Sequence, residues 1–158
     1  MKTAFPKNER IPLSVLNLLA RRKCTDFTAY YDDGVFCGIS YTVCSDKTVF
    51  ILYLAVNKNL RSLGYGSEIL GDIKEKNEGK TLVLNVEPLD ENADNYASRI
   101  RRLEFYAKNG FSDTGWYLDD FSGEYNILSA HGSFSPKDYK SAVRKLSYGM
   151  YLPEINKR

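Results

Sequence analysis

Apolar and polar positions recur along this chain with periods that mark short helices and strands. Around Ile11–Ala20, Val15, Leu18 and Leu19 fall on one helical face and Ser14, Asn17 and Arg21 on another, which predicts an amphipathic helix. Phe27–Tyr31 and Val35–Cys44 read as hairpin strands about the turn Asp32-Asp33-Gly34, and Ser45-Asp46-Lys47 turns the chain again. Thr48–Val56 (TVFILYLAV) is apolar almost throughout, and a strand apolar on both faces belongs in the middle of a covered sheet. The polar, glycine-bearing stretch Asn57–Gly66 follows. From Ser67 a helical pattern puts Ile69, Leu70 and Ile73 inward, with Gly79 expected as the C-terminal cap. Thr81–Glu87 is a strand ended by Pro88. Tyr96, Ile100, Leu103 and Ala107 mark the stripe of another helix stopped by Gly110. Phe111–Leu118 and Glu124–Leu128 read as a final hairpin around Asp119–Gly123, and Ser135-Pro136 opens a last helix. The order predicts an α/β (α+β) fold, a mixed sheet covered by helices on both sides.

Composition narrows the picture without deciding it. The 158 residues fit one domain, 1–158, with a C-terminal helix and tail from about 135. Twenty-two basic against 20 acidic residues leave a charge of +2, too mild for the footprint of a nucleic-acid binder. The first apolar run is broken by Pro12, Ser14 and Asn17 and ends in Arg21-Arg22-Lys23 without a small-residue cleavage site, so it is distinguished from a signal peptide. No other stretch approaches membrane-spanning length. Cys24, Cys37 and Cys44 show no C-x-x-C spacing. On one unbroken strand Cys37 and Cys44 would face opposite ways, so the expectation is free thiols in a reducing cytoplasm and no metal cluster.

Chemistry concentrates in two stretches. Arg61-Ser62-Leu63-Gly64-Tyr65-Gly66 lies between the buried strand and a helix. Glycines let the backbone approach a ligand closely, and the unpartnered amides of a helix N-terminus converge with its dipole on a spot suited to phosphate. Arg61 can add a charge-assisted contact. The same residues also fit an ordinary strand-to-helix loop with two turn glycines. A Walker loop is absent, and the dinucleotide fingerprint fails at Ile69. The second stretch is Arg101-Arg102-Leu103-Glu104-Phe105-Tyr106-Ala107-Lys108-Asn109-Gly110-Phe111.

Together these stretches resemble the GNAT N-acetyltransferases. The loop is similar to that superfamily's Q/R-x-x-G-x-G/A acyl-coenzyme A motif, and FYAKNGF to its F/L-Y-x-K-x-G-F segment, in the same order and on the same elements. The resemblance spans roughly Thr48 to Phe111. It implies a mostly antiparallel twisted sheet whose central strand pair splays, and an N-acetyltransferase moving acetyl from acetyl-CoA, the cosubstrate, directly to an amine, with no metal. It further implies that Leu54, Ala55 and Val56 offer backbone groups to pantetheine. Arg61 and the backbone of Ser62, Leu63, Gly64, Tyr65, Gly66 and Ser67 would hold the pyrophosphate, and Tyr106 would protonate the leaving thiolate.

A thiol of pKa about 8.5 against a phenol of about 10 suits Tyr106 to that donation; the residue equally suits a core aromatic. Family members often carry Asn where Arg99 stands and Ala where Arg102 stands. Arg99, Arg102 and Tyr106 share a helical face, so the arginines either contact coenzyme A, Arg102 foremost, or form a solvated face. A Glu that some members use as base is Phe50 here. The remaining candidate base is Glu87, which would relay a proton from the amine through water; its other reading is a strand-end residue bonded to nearby backbone. His131, after the last strand, reads as a surface loop residue. The acceptor is expected to be a small-molecule or peptide amine, with no nucleic-acid or membrane partner, and the protein a monomer or homodimer. Two further readings stand beside this one: a coenzyme A-binding module without turnover, and a protein (N-terminal or lysine) acetyltransferase. Tyr117, Tyr125, Tyr148 and Tyr151 lean towards a closed aromatic pocket.

Overall fold

Strand propensity and apolar content place Thr48–Val56 where they must be covered on both sides. The computed structural model describes residues 12–120, 123–146 and 153–158. The described elements are α1 (Leu13–Leu19), β1 (Thr25–Asp32), β2 (Val35–Cys44), β3 (Thr48–Val56), α2 (Tyr65–Lys76), β4 (Thr81–Val86), α3 (Tyr96–Lys108), β5 (Ser112–Asp120), β6 (Gly123–Ala130), α4 (Pro136–Leu146) and β7 (Glu154–Lys157). They build a seven-stranded sheet of order β1-β2-β3-β4-β6-β5-β7. Every neighbouring pair is antiparallel except β3 and β4, whose crossover through α2 makes them parallel.

Alternate residues of β3 serve opposite cores, as its two-sided apolarity requires. Val49 and Ile51 pack with Ile69, Leu70 and Ile73 of α2 and Leu84 of β4. Phe50 packs with Val83 and with Tyr139, Ala142 and Val143 of α4. A third cluster seats α1, through Leu16 and Leu19, on Tyr41, Val43 and Tyr53. Ser135 caps α4 as expected, its Oγ accepting from the Asp138 amide at 3.3 Å. No helix among the described residues is long and apolar enough to cross a membrane.

Several boundaries differ from the sequence reading. α2 begins at Tyr65, before Ser67, and ends at Lys76 with Asn77 as its C-cap. Gly79 is therefore not the cap: the Asn77 amide side chain donates to the Ile73 carbonyl at 2.9 Å and closes the helix first, leaving Gly79 to the next turn at φ +79°. On α3 the small Ala107 is exposed, and Leu103, Phe105 and Tyr106 pack inward in its place. β2 is not regular beside Cys37, where its register with β1 shifts, so the parity argument for Cys37 and Cys44 does not apply; all three thiols are free. β7 was not expected, because in Glu154–Lys157 only Ile155 is buried and the alternation is too short to read. The turn residues 121–122 and the aromatic tail with Tyr148 and Tyr151 lie outside the described residues, as do residues 1–11.

Gly38 shows how closely α2 is drawn onto the sheet. It pairs with Val56 at the end of β3. A Cβ there would sit 2.5 Å from the Ala55 carbonyl oxygen and 2.9 Å from the Ile69 Cδ1. Rigid backbone cannot yield as a side-chain tip can, so Gly38→Ala is expected to destabilise the protein by about 1–3 kcal/mol, the range for overpacking. Urea unfolding checks this, and an unchanged midpoint would mean that strand and helix separate freely.

Candidate active site

The site grows out of a defect in the sheet. β3 and β4 pair from Thr48↔Thr81 to Ile51↔Leu84 and no further. At the same point the β2–β3 register skips Leu52, a bulge that bends β3 away. Beyond it Leu54, Ala55 and Val56 remain paired to Ser40, Ile39 and Gly38 of β2, while their other edge faces a gap. A cavity of about 910 Å³ occupies that gap.

The loop after β3 completes one wall. Asn57 caps a short 3-10 turn, accepting from the Asn59 amide at 3.2 Å. Ser62 then adopts φ +66° and Gly64 φ +98°, the left-handed region where glycine has no Cβ penalty. Gly64 is the N-cap of α2 and offers no side-chain cap; the Ser67 and Glu68 amides donate to its carbonyl at 2.8 and 3.2 Å, and the Tyr65 and Gly66 amides ahead of them stay available to a ligand. Gly66 serves differently: a Cβ there would lie 3.0 Å from the Phe105 ring, so this glycine lets α3 approach α2.

The cavity collects most of the sequence-predicted residues. Leu54, Ala55, Val56, Arg61, Ser62, Gly64, Gly66, Ser67, Glu87, Arg102 and Tyr106 all line it. Leu63 and Tyr65 do not. Leu63 is 64% exposed. The Tyr65 hydroxyl turns away to donate to Asp32 at 2.8 Å; that bond, with some burial and the Asp32 charge, pushes its phenol up to about 12. His131 sits at φ +61° on the surface, as a loop residue.

Tyr106 is both core and cavity residue. Its ring lies 5.2 Å from Phe105 and 5.6 Å from Phe111, joining the two ends of the FYAKNGF segment. Burial pushes its phenol up to about 12, against the opposing charge of Arg102, so the hydroxyl is protonated at neutral pH. Glu87 is held by several partners. Arg102 donates to it at 2.8 Å, Arg99 lies 3.2 Å away, and Asn95 donates at 3.2 Å. Burial alone would raise its pKa; the bonds from Asn95 and Arg102 and the charges of Arg102 and Arg99 outweigh that and hold the carboxyl below its ordinary range. Arg99 is not a solvated side chain: it is 15% exposed and also donates to the Pro88 carbonyl at 2.6 Å and to Asn95 at 2.7 Å. Asp90 accepts from the Asn92 amide in its own loop, and neither it, Glu91 nor Asp94 lines the cavity.

Sequence reasoning missed the remaining lining. Arg101 and Lys108 add charge on the α3 side, while Asn85, Leu118 and Asp120 close the far end beside Tyr125, one of the tyrosines expected at an aromatic pocket. Asn85, a polar residue inside an apolar strand, was the available signal. Its amide spans the buried Tyr139 hydroxyl, with contacts of 3.0 and 3.1 Å.

Comparison with known proteins agrees with this geometry. Residues 23–113, more than half of the chain, match the family model described as an acetyltransferase (GNAT) domain. The Bacillus subtilis (strain 168) protein YjbC, an acetyltransferase by name, is 36% identical over 66 residues, covering 42% of this chain and 32% of YjbC. The match thus spans about a third of the length of that curated relative. A solved structure from Bacteroides thetaiotaomicron, named as an acetyltransferase of the GNAT family, superposes with a TM-score of 0.71 at 25% identity over 93% of this chain and 86% of that one. An Elizabethkingia anophelis GNAT acetyltransferase with acetyl-CoA bound shares the fold, with a TM-score of 0.56 at 17% identity over 82% of this chain and 95% of that one. The splayed sheet, the loop and the matched span lead to one conclusion: this chain belongs to the GNAT acetyltransferase family.

Proposed function

We propose that the chain is an N-acetyltransferase that moves the acetyl group of acetyl-CoA directly to an amine, both substrates being bound at once. The observation that carries this reading is that one cavity is lined by the released edge of β3, the uncapped start of α2 and Tyr106. The fit to the cosubstrate rests on chemistry. The peptide groups on the edge of Leu54–Val56 that faces away from β2 suit the amides of pantetheine, and the α2 amides suit a pyrophosphate. Arg61, Arg101 and Lys108 supply positive charge, and none of them is in an ion pair among the described residues. Acetyl-CoA supplies an activated acyl group.

The amine reaches the site mostly as ammonium, since an alkyl amine has pKa about 10. It loses one proton, its nitrogen attacks the thioester carbonyl carbon, and the carbon–sulfur bond breaks. Tyr106 protonates the departing sulfur and regains a proton from those the nitrogen releases. The net products are the amide, coenzyme A thiol and one proton. A phenol near 12 is a poor acid in water, but it stays protonated until sulfur charge develops beside it. The Arg102 charge then favours the tyrosinate left behind. The first assignment of the base is Glu87, through water. Its ion pairs favour a second reading, in which Glu87 anchors Arg102 near Tyr106 and bulk water takes the proton. The free thiols of the chain accord with a reducing cytoplasm.

Two measurements address these roles. Acetyl-CoA at a hundred times its Kd is expected to stabilise the folded state by about 2.7 kcal/mol, read as a rise in Tm. Tyr106→Phe should keep that rise while kcat falls about 10²-fold. No rise in the parent, or an unchanged kcat with chemistry rate-limiting, contradicts the reading.

Glu87→Gln separates base from anchor. Because the folded carboxyl titrates below its ordinary value, the stability it contributes is present above about pH 4.3, the unfolded value, and is lost as pH falls through the folded pKa. The parent should therefore be more stable than the variant at pH 7, and the gap should close in acid. A base role additionally predicts that kcat/KM falls in the variant, most at neutral pH where the amine must be deprotonated; a pure anchor leaves the shape of the rate–pH profile intact.

A further inference from the structure

Helix α2 is fastened to strand β1 by two tyrosine–aspartate bonds of opposite sense, and one of them sits on the candidate cosubstrate loop; the inference drawn from them rests on the function proposed above. Towards the C-terminal half of α2, the Tyr30 hydroxyl of β1 donates to Asp72 at 2.8 Å. At the first residue of α2, the Tyr65 hydroxyl donates to Asp32 of β1, also at 2.8 Å. Tyr30 and Asp32 are two apart on β1 and so share the face that meets α2. Asp32 is mounted firmly. It pairs with Val35 across a two-residue turn in which Asp33 and Gly34 take φ +46° and +80°, the backbone of a tight hairpin. The same hairpin holds the entry to the loop. The Asn57 side-chain amide donates to the Phe36 carbonyl at 2.9 Å, and the Asn57 backbone amide donates to the Cys37 carbonyl at 2.7 Å.

Between these ties Ser62 and Gly64 take left-handed backbone, and Gly64 gives α2 no side-chain cap. Tyr65 stands between Gly64 and Gly66, which line the cavity while Tyr65 does not. Fixing its ring outside therefore fixes the peptide units on either side of it. We propose that Tyr65 is a positioning residue: anchored to Asp32 of the β1–β2 hairpin, it holds the amides of Tyr65 and Gly66 on a bound pyrophosphate. Such preorganisation spares the ligand the cost of ordering the loop. Charge and anchorage predict opposite signs at Asp32. A carboxylate behind an anion site repels the anion, so on charge alone Asp32→Ala would tighten coenzyme A binding, whereas loss of the anchor weakens it.

Calorimetry with coenzyme A reads the effect, and pantetheine, which lacks the phosphates, is measured by competition against it. Tyr65→Phe keeps the ring and should raise the Kd of coenzyme A about three- to tenfold, the scale of one hydrogen bond, while that of pantetheine stays at the parent value. Asp32→Ala should weaken coenzyme A in the same way. Asp32→Asn keeps an oxygen acceptor and should match the parent affinity or better it. Tyr30→Phe removes the companion bond further along α2, so it should lower Tm and leave both Kd values alone. An unchanged Kd for coenzyme A in a folded Tyr65→Phe, an equal loss for pantetheine, a tighter Kd in Asp32→Ala, or an equal loss in Tyr30→Phe overturns the proposal. Should Tyr65→Phe not fold, the two Asp32 variants decide, and equal affinities in them overturn it. If the parent binds coenzyme A more tightly than pantetheine and the Tyr65 and Asp32 variants leave that margin unchanged, this inference falls and the N-acetyltransferase reading stands. If the parent binds coenzyme A no more tightly than pantetheine, or not at all, the phosphate role of the loop is lost and this inference with it.

Discussion

Parallel pairing between β3 and β4 stops at Ile51↔Leu84, and the site depends on that interruption. A parallel ladder carried to the end of β3 would bond the peptide groups of Leu54–Val56 to β4 and fill the gap with side chains. Instead the bulge at Leu52 turns β3 outward, and β2 alone holds its last residues. Three consequences follow without further machinery. The sheet gains an aperture, an extended segment keeps one edge of unbonded amides and carbonyls, and the loop leaving β3 delivers the start of α2 to the rim. Backbone groups so exposed within a half-enclosed space invite a ligand, because they are costly to leave unpaired.

The second support is the contact between α2 and α3. Gly66 and Phe105 come from the two stretches that the sequence singled out, and they touch each other. The glycine removes the Cβ that would hold the helices apart, and the neighbouring Tyr106 is thereby fixed between Phe105 and Phe111 at the cavity wall. The two motifs are thus one packing unit. The electrostatics divide along the same lines. Arg99 and Glu87 are committed to each other and to Asn95 and Pro88, an arrangement in which removing either partner would strand a poorly hydrated charge. Among the described residues, Arg61, Arg101 and Lys108 line the cavity and stay outside such pairs, available to anions.

Much of this was legible in the sequence, for reasons that can be named. The two-sided apolarity of Thr48–Val56 required a central strand. Ile69, Leu70 and Ile73 proved to be the buried stripe of α2, and all but Leu63 and Tyr65 of the expected binding residues line one cavity. Those two went astray because a loop motif specifies backbone, and its side chains are free to turn out, as Tyr65 does towards Asp32. Gly79 lost the cap to Asn77 because a side-chain amide can close a helix where a pattern of residue types shows only the glycine. Arg99 read as a surface charge because its partners, Glu87 and the Pro88 carbonyl, come together only through the turn between β4 and α3. Asp120 and Tyr125 could not be joined to Phe50 before the strand order was known, since β5 and β6 reach the site by pairing in the order β4-β6-β5.

The central claim is that the released edge of β3 and the first turn of α2 hold the cosubstrate, and amide hydrogen exchange with and without coenzyme A tests it most directly. The account predicts slowed exchange confined to the amides of Leu54–Val56 and Ser62–Ser67 and to the α3 segment around Tyr106, with the β1–β2 hairpin unchanged. Protection elsewhere, with these segments unaffected at saturating ligand, would contradict it.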